Sequence, residues 1–168
     1  MSDYIIKICL LGEAKVGKTT LVYRYIENKF RTDFRSTLGV NLLKKTITIE
    51  NKTIVAQIWD LGGQESFKKL RKLYLEGAEG ALLLFDVTNK QSFDKLGDWL
   101  SSFREVHGDK PIVLIGNKID LKENIIIDQL QAEKYSNENN ITLILTSAKT
   151  GENVEKAFKK LLTKIISI

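Results

Sequence analysis

Gly12-Glu13-Ala14-Lys15-Val16-Gly17-Lys18-Thr19 reads G-x-x-x-x-G-K-[ST]. It lies between an apolar run, Ile5-Ile6-Lys7-Ile8-Cys9-Leu10-Leu11, and a run of helical spacing through Leu21, Val22, Tyr25 and Ile26. Strand, glycine loop and helix in that order distinguish a phosphate site from an ordinary glycine turn. The glycines let the backbone curl so that several N–H groups face one anion. The N-terminus of the following helix adds the positive end of its dipole. In such a loop Lys18 reaches the β- and γ-phosphates as a point charge and the Thr19 hydroxyl ligates Mg²⁺. Gly12, Glu13, Ala14, Lys15, Val16, Gly17, Lys18, Thr19 and Thr20 are thus the expected phosphate-binding stretch.

On both sides of this loop, apolar runs alternate with runs of helical period. Strands are expected at 4–11, 42–50, 53–60, 80–87, 111–117 and 141–146, and helices at 18–28, 68–77, 92–107, 128–139 and 151–166. Glu50-Asn51-Lys52-Thr53 reads as a tight hairpin joining the second and third strands. Helical segments separate the other strands, which implies parallel pairing through right-handed crossovers. Gly80-Ala81-Leu82-Leu83-Leu84-Phe85 is apolar on both faces, as in a sheet covered by helices on each side. The expected class is α/β, a six-stranded mostly parallel sheet with five helices on both faces. The single proline, Pro111, introduces a strand, and no repeat, linker or low-complexity stretch marks a boundary, so residues 1–168 are read as one domain.

The 168-residue length allows a sizeable core, and the net charge of +5 is modest, with bases and acids alternating along most of the chain. No basic stripe with interleaved aromatics is present, so nucleic acid is not expected as a partner. Lys68-Lys69 with Arg71-Lys72 is the nearest basic run, read either as a solvated face or as a partner surface. Cys9, the only cysteine, excludes an internal disulfide and reads as a buried core thiol, compatible with a reducing cytoplasm. No segment has the length of a transmembrane helix, and no signal peptide, N-myristoylation glycine or C-terminal prenylation cysteine is present. Two readings follow: a cytoplasmic protein without an intrinsic membrane anchor, reaching membranes if at all through a partner, or a chain that as given lacks an anchoring tail. His107 reads as a solvent-exposed helix cap, and Trp99 and Tyr135 as core or helix-face aromatics.

In open α/β sheets the ligand site forms at the carboxyl ends of the strands, and the remaining motifs follow strands. After the third strand comes Trp59-Asp60-Leu61-Gly62-Gly63-Gln64-Glu65. Asp60 is placed as an acid that holds Mg²⁺ through water. Gly63 has no side chain to keep its N–H from a γ-phosphate, and Gln64 is suited to orient a water for in-line attack. After the fifth and sixth strands come Asn117-Lys118-Ile119-Asp120 and Ser147-Ala148-Lys149. The Asp120 carboxylate can accept from the N1–H and N2 amino group of guanine, whereas adenine offers no donor there. A site built for such bonds rejects an analogue lacking them by about 10⁴-fold or more. The Ala148 N–H is suited to guanine O6, and Phe30 to packing edge-on against the base. Thr37, in the polar stretch 28–41, has a hydroxyl for the Mg²⁺ shell and an N–H for the γ-phosphate.

These motifs, in this order and spacing, resemble the Ras superfamily of small GTPases over essentially the whole chain. Ser36-Thr37-Leu38-Gly39-Val40-Asn41-Leu42, Ile58-Trp59-Asp60, Tyr74-Leu75-Glu76-Gly77-Ala78 and Leu84-Phe85-Asp86-Val87-Thr88 look like Rab stretches. Leu61-Gly62-Gly63-Gln64 looks like the Arf pattern, a mixture that fits an archaeal Rab-like GTPase. The resemblance implies a P-loop NTPase fold (a G domain) that binds GTP or GDP with Mg²⁺ and hydrolyses GTP as a molecular switch, with vesicle trafficking as the Rab context. It implies Lys18, Thr37, Gly63 and Gln64 as catalytic residues and Thr19, Thr37 and Asp60 at the metal. Nucleotide contacts come from the phosphate loop with Phe30, Thr37, Gly63, Asn117, Lys118, Asp120, Leu121, Ser147, Ala148 and Lys149. Effectors, exchange factors and activating proteins are implied partners through residues 31–41 and 62–76, with the protein a monomer. Ras is itself the usual worked case of phosphoryl transfer to water, so these roles are partly carried over from that superfamily.

The chain departs from the Rab pattern at three places. Leu42 stands where Phe is usual, leaving Trp59 and Tyr74 of an effector-facing aromatic cluster. A C-terminal cysteine tail is missing, and Lys15 stands where small residues are common. Lys15 is read either as a charge near the γ-phosphate, in the role of an arginine finger, or as a solvated lysine on the loop's outer face. Arg35 carries the same two readings. Two rival functions remain open on the residues alone. One is a module that holds GTP without meaningful hydrolysis, against which Gln64 argues. The other is a P-loop ATPase, against which Asp120 argues.

Overall fold

The computed structural model describes residues 3–30, 40–61 and 70–167; residues 1–2, 31–39, 62–69 and 168 lie outside the described residues. In chain order the elements begin with β1 (Tyr4–Leu11), α1 (Lys18–Glu27), β2 (Val40–Ile49), β3 (Lys52–Leu61), α2 (Arg71–Leu75) and β4 (Gly80–Asp86). They continue with α3 (Lys90–Asp94), α4 (Leu96–His107), β5 (Ile112–Asn117), α5 (Gln129–Glu138), β6 (Thr142–Leu145) and α6 (Val154–Ile166). The strands form one sheet in the order β2-β3-β1-β4-β5-β6, parallel throughout except for β2. This is the α/β class expected, with six strands and helices on both faces.

Period-two alternation along the central strands divides the apolar residues between two cores. Ile6, Ile8 and Leu10 of β1, Leu82 and Leu84 of β4, and Val113 and Ile115 of β5 pack with Leu21, Val22 and Tyr25 of α1 and Phe158, Leu161 and Leu162 of α6. Cys9 and Leu11, then Ala81, Leu83 and Phe85, then Leu114, point the other way. They pack with Tyr74 and Leu75 of α2, Leu96, Trp99 and Phe103 of α4 and Ala132 of α5. The rings of Tyr25 and Phe158 stack at 3.9 Å, clamping α1 to α6. Both neighbours of β1 are parallel to it, but the chain covers one face through α1 and the other through α2. The carboxyl end of β1 is thus a topological switch point, where open sheets bind ligands.

Several boundaries differ from the sequence pattern for local reasons. The β2–β3 pairing continues to Val40 opposite Leu61, two residues earlier than expected. Its turn is Glu50-Asn51, with φ of 51° and 66°, the two left-handed residues of a tight hairpin loop. The helix expected over 92–107 comes as α3 and α4, divided at Lys95. The Lys95 N–H still reaches the Gln91 carbonyl at 3.1 Å, so they act as one bent helical region and the five regions stand. Among the described residues the helix expected over 68–77 comes as Arg71–Leu75, and residues 68–69 lie outside them.

Three side chains have surroundings that the sequence pattern does not announce. Arg71, read within a solvated or partner-facing basic run, is 4% exposed, its guanidinium lying 3.5 Å over the Trp99 ring. It donates to Asp98 at 3.1 Å and to the Ser102 hydroxyl at 3.2 Å. His107 is no free cap, since its Nε2 meets the Leu75 carbonyl at 2.6 Å and its ring packs on Phe103. Trp99 is a core residue as read, but its N–H reaches into the phosphate loop.

Cys9 is fully buried beside the Tyr74 carbonyl, as expected of a core thiol. Burial pushes its thiol up to about 12, opposed by the nearby Lys7 ammonium. The thiolate is the reactive form, so iodoacetamide at about pH 8 should leave native Cys9 unmodified by intact mass. Unfolding in urea should make it react; native-state labelling at the unfolded rate would contradict this burial.

Candidate functional site

The loop between β1 and α1 turns on backbone conformations that few side chains accept. Gly12 has φ of 140°, and a Cβ there would stand 2.4 Å from the Leu84 carbonyl oxygen. Gly17 has φ of 102°, and its Cβ would meet the Asn117 side-chain amide at 2.4 Å. Glycine is the residue that satisfies both demands. Lys15 also takes the left-handed region, at φ 69°, with its side chain exposed. That conformation strains a non-glycine residue, and a hydrogen bond from Lys118 to the Lys15 carbonyl helps to hold it. Gly17 caps α1 without a side-chain hydrogen bond, and the N-terminus of a helix is an environment that favours an anion.

Lys18, the first residue of α1, is 6% exposed and folds back over the loop. Its Nζ donates to the Gly12 carbonyl at 2.8 Å and the Glu13 carbonyl at 2.9 Å. Burial lowers its pKa to about 8, against the pull of Asp60 and Glu13. The next residue, Thr19, donates its hydroxyl to Asp60 Oδ2. Asp60 stands near the end of β3, opposite Leu10 on one side and Asn41 on the other. Burial raises its carboxyl, while the Thr19 hydroxyl, Lys18 and Asn41 hold it down.

The second oxygen of Asp60, Oδ1, is buried with no hydrogen-bond partner among the described residues. An unpartnered buried carboxylate oxygen beside a hydroxyl fits the oxygen-rich shell of Mg²⁺, which takes one or two protein carboxylates and fills the rest from phosphates and water. Among the described residues no group of three or more His, Cys, Asp or Glu gathers, which is the donor set a softer or all-protein metal site would need.

The carboxyl ends of β5 and β6 close on the loop from the other side. Asn117 donates Nδ2 to the Val16 carbonyl at 3.0 Å. Its Oδ1 accepts from the Thr146 hydroxyl at 2.9 Å and the Ala148 N–H at 3.2 Å. Lys118, at φ 73°, donates to the Lys15 carbonyl at 2.8 Å and pairs with Asp86 at 2.9 Å. Asp120 Oδ1 accepts from the Ser147 hydroxyl at 2.7 Å, which leaves its second oxygen for a ligand. The segments after β1, β5 and β6 are therefore one hydrogen-bonded unit. Leu121, 38% exposed, and Phe30, 40% exposed, lie open at its margin, and Lys149 is exposed beyond Ala148.

The described residues thus bring together Gly12–Thr20, Asp60, Asn117, Lys118, Asp120 and Ser147–Lys149. Thr37, Gly63, Gln64 and Arg35 fall outside them. Four participants carry no signal in the spacing of the motifs. Asp86 anchors Lys118, and Thr146 shares Asn117. Trp99 donates its indole N–H to Glu13 Oε1 at 3.0 Å, and Arg24 grips the loop after β6. Asp86, at the end of β4, stands where an open sheet places functional residues and within a stretch that looks Rab-like.

Comparison with known proteins places this arrangement in company. A Ras family model matches residues 7–167. The chain is 42% identical over 168 residues to GTP-binding protein ypt3 of Schizosaccharomyces pombe, covering 99% of this chain and 78% of that protein. It is 43% identical to Ras-related protein RABA4d of Arabidopsis thaliana over 99% of this chain and 75% of that protein. Ras-related protein Rab11A of Lotus japonicus follows at 40% over 99% and 74%.

Proposed function

The chain belongs to the Ras family, as a Rab-like small GTPase that acts as a molecular switch, and from that premise we propose how its residues divide the work. Ras-family GTPases bind GTP or GDP with Mg²⁺ and turn GTP and water into GDP and phosphate. The base is read by Asp120, which accepts from guanine N1–H and N2, and by the Ala148 N–H, which donates to O6 in exchange for its long bond to Asn117. Phe30, Leu121 and Lys149 flank the base. Asn117, Lys118 and Ser147 hold the readers in place. The phosphates lie in the curl of Gly12–Thr20, where Lys18 gives up its loop carbonyls for phosphate oxygens.

Thr19, Thr37 and Asp60 would hold Mg²⁺, which when bound neutralises charge on the β- and γ-phosphate oxygens. Gln64 orients the attacking water in line with the γ-phosphorus, while Thr37 and Gly63 meet the γ-phosphate through their N–H groups. Little covalent chemistry falls to the protein; positioning and charge stabilisation carry the rate. The third phosphate would make its contacts with Thr37 and Gly63 within residues 31–41 and 62–76, and its loss would remove them. Those two segments are the proposed surface for effectors, exchange factors and activating proteins, on a monomeric single domain spanning 1–168. No helix among the described residues is long and apolar enough to cross a membrane. A protein that meets membranes peripherally fits this reading.

The observation that supports this reading most is the Asn117 side chain, bonded at once to the phosphate loop, to Thr146 just after β6 and to the Ala148 N–H. It makes the base pocket and the phosphate loop a single site for one nucleotide. Single-turnover phosphate release tests the reaction. The wild type should hydrolyse bound GTP at about 10⁻⁴ to 10⁻² per second without a partner. Gln64→Leu should slow this at least about tenfold with GTP affinity retained. Equal rates in both proteins would remove Gln64 from the mechanism.

A further inference from the structure

Arg24 lies on α1, and each of its three guanidinium nitrogens donates to a backbone carbonyl. Nε donates to the Ala148 carbonyl at 2.8 Å, Nη2 donates to the Lys149 carbonyl, and Nη1 donates to the Asn28 carbonyl at 3.2 Å. The first two acceptors are consecutive residues of the loop after β6. The third ends α1 in the left-handed conformation, two residues before Phe30. The guanidinium also lies against Gly151, whose φ is 90° and where a Cβ would stand 3.6 Å from Arg24 Cδ. One planar fork thus spans the loop that offers an N–H to O6 and the stem that carries Phe30.

The loop geometry shows what that grip does. The Ser147 carbonyl accepts from the Gly151 N–H at 2.8 Å. In a trans peptide the Ala148 N–H points opposite to the Ser147 carbonyl, so this bond aims it away from Gly151 and toward Asn117. The Thr150 N–H donates inward to the Ser147 hydroxyl at 3.1 Å, and that hydroxyl in turn holds Asp120. The carbonyls of Ala148 and Lys149 are left pointing outward. Arg24 supplies the donors on that side, adding an outer hold to the bonds within the turn. Arginine suits this duty because its donors are coplanar and fixed relative to one another, whereas a lysine ammonium is a single point on a flexible stem.

We infer that Arg24 is a positioning residue for base recognition: it sets the Ala148 N–H against guanine O6 by holding the loop's outward carbonyls to α1. The inference rests on the guanine reading given above and adds a residue that never meets the ligand. Its effect should be selective. The O6 contact depends on the tilt of the Ala148 peptide, while the Asp120 contacts depend on β5 and on the Ser147 hydroxyl.

Two analogues separate these contacts. 6-Thio-GDP keeps N1–H and the 2-amino group but replaces O6 with sulfur, a weak acceptor. IDP keeps O6 and lacks the 2-amino group. The wild type should bind each about tenfold more weakly than GDP, the equivalent of one well-made hydrogen bond. Arg24→Ala should weaken GDP about tenfold and bring the 6-thio-GDP to GDP ratio near one, with the IDP ratio unchanged. Arg24→Lys, which keeps the charge and the helix propensity, should fall with the alanine variant, and it carries the test alone if Arg24→Ala does not fold. A 6-thio-GDP ratio unchanged in the variants, or both ratios falling together, would overturn the role of Arg24. A wild type indifferent to both analogues would instead overturn the guanine reading itself.

Discussion

Asp120→Asn should turn the base pocket against guanine, lowering GDP affinity by about 10³-fold or more and making XDP the preferred ligand. One carboxylate oxygen already accepts from the Ser147 hydroxyl at 2.7 Å, and the asparagine oxygen can keep that bond. The other position then becomes an NH₂ donor facing the donors of guanine, so two N–H groups meet and neither is satisfied. Xanthine carries a carbonyl at C2 in place of the amine and accepts what asparagine offers. Competition between GDP and XDP for the purified variant reads the outcome directly. A variant that still prefers GDP would remove Asp120 from base recognition.

Lys18→Met should cost nucleotide affinity on a similar scale, about 10²-fold or more, because it takes the one buried cation from the phosphate loop while keeping its apolar stem. The wild-type lysine also predicts a pH dependence of opposite sign for two properties of the protein. Burial puts its free-state pKa near about 8, below the ordinary 10.5 that it regains on unfolding. Between those values the unfolded chain binds more protons, so this group makes the nucleotide-free protein more stable as pH rises through that window. Phosphate favours the charged form, so GDP binding takes up a proton over the same window and affinity should fall, by up to about tenfold per pH unit above 8. Calorimetric titration from about pH 7 to 9 checks this against Lys18→Met. The slope due to the lysine vanishes in the variant, and any slope from guanine's own N1–H remains. Identical slopes in the two proteins would show that Lys18 does not titrate there.

Much of this molecule can be read from its sequence because the relevant signals are local. Strands such as Gly80–Phe85 are continuous apolar runs, the glycines at 12 and 17 are demanded by backbone that only they accept, and motif order follows strand order. The site residues that escaped reading have long-range partners. Arg24 meets carbonyls more than a hundred positions away, and a carbonyl is present on every residue, so no side-chain pattern announces it. Trp99 reads as core because its ring is core, and its single polar atom decides its second role. Arg71 misleads because its neighbours Lys68, Lys69 and Lys72 make a basic run, while Trp99 supplies a π face that composition cannot reveal.

The indole of Trp99 touches Arg71 of α2 with its face and Glu13 of the phosphate loop with its edge. The other tryptophan of the chain, Trp59, lies one residue before Asp60 under the Lys7 ammonium, 3.7 Å from its ring centre. Indole emission responds to nearby charge and to the loss of an N–H bond. The two tryptophans of this protein therefore stand beside the phosphate loop and beside Asp60. The intrinsic tryptophan emission should therefore change with nucleotide state, a gauge legible without a label.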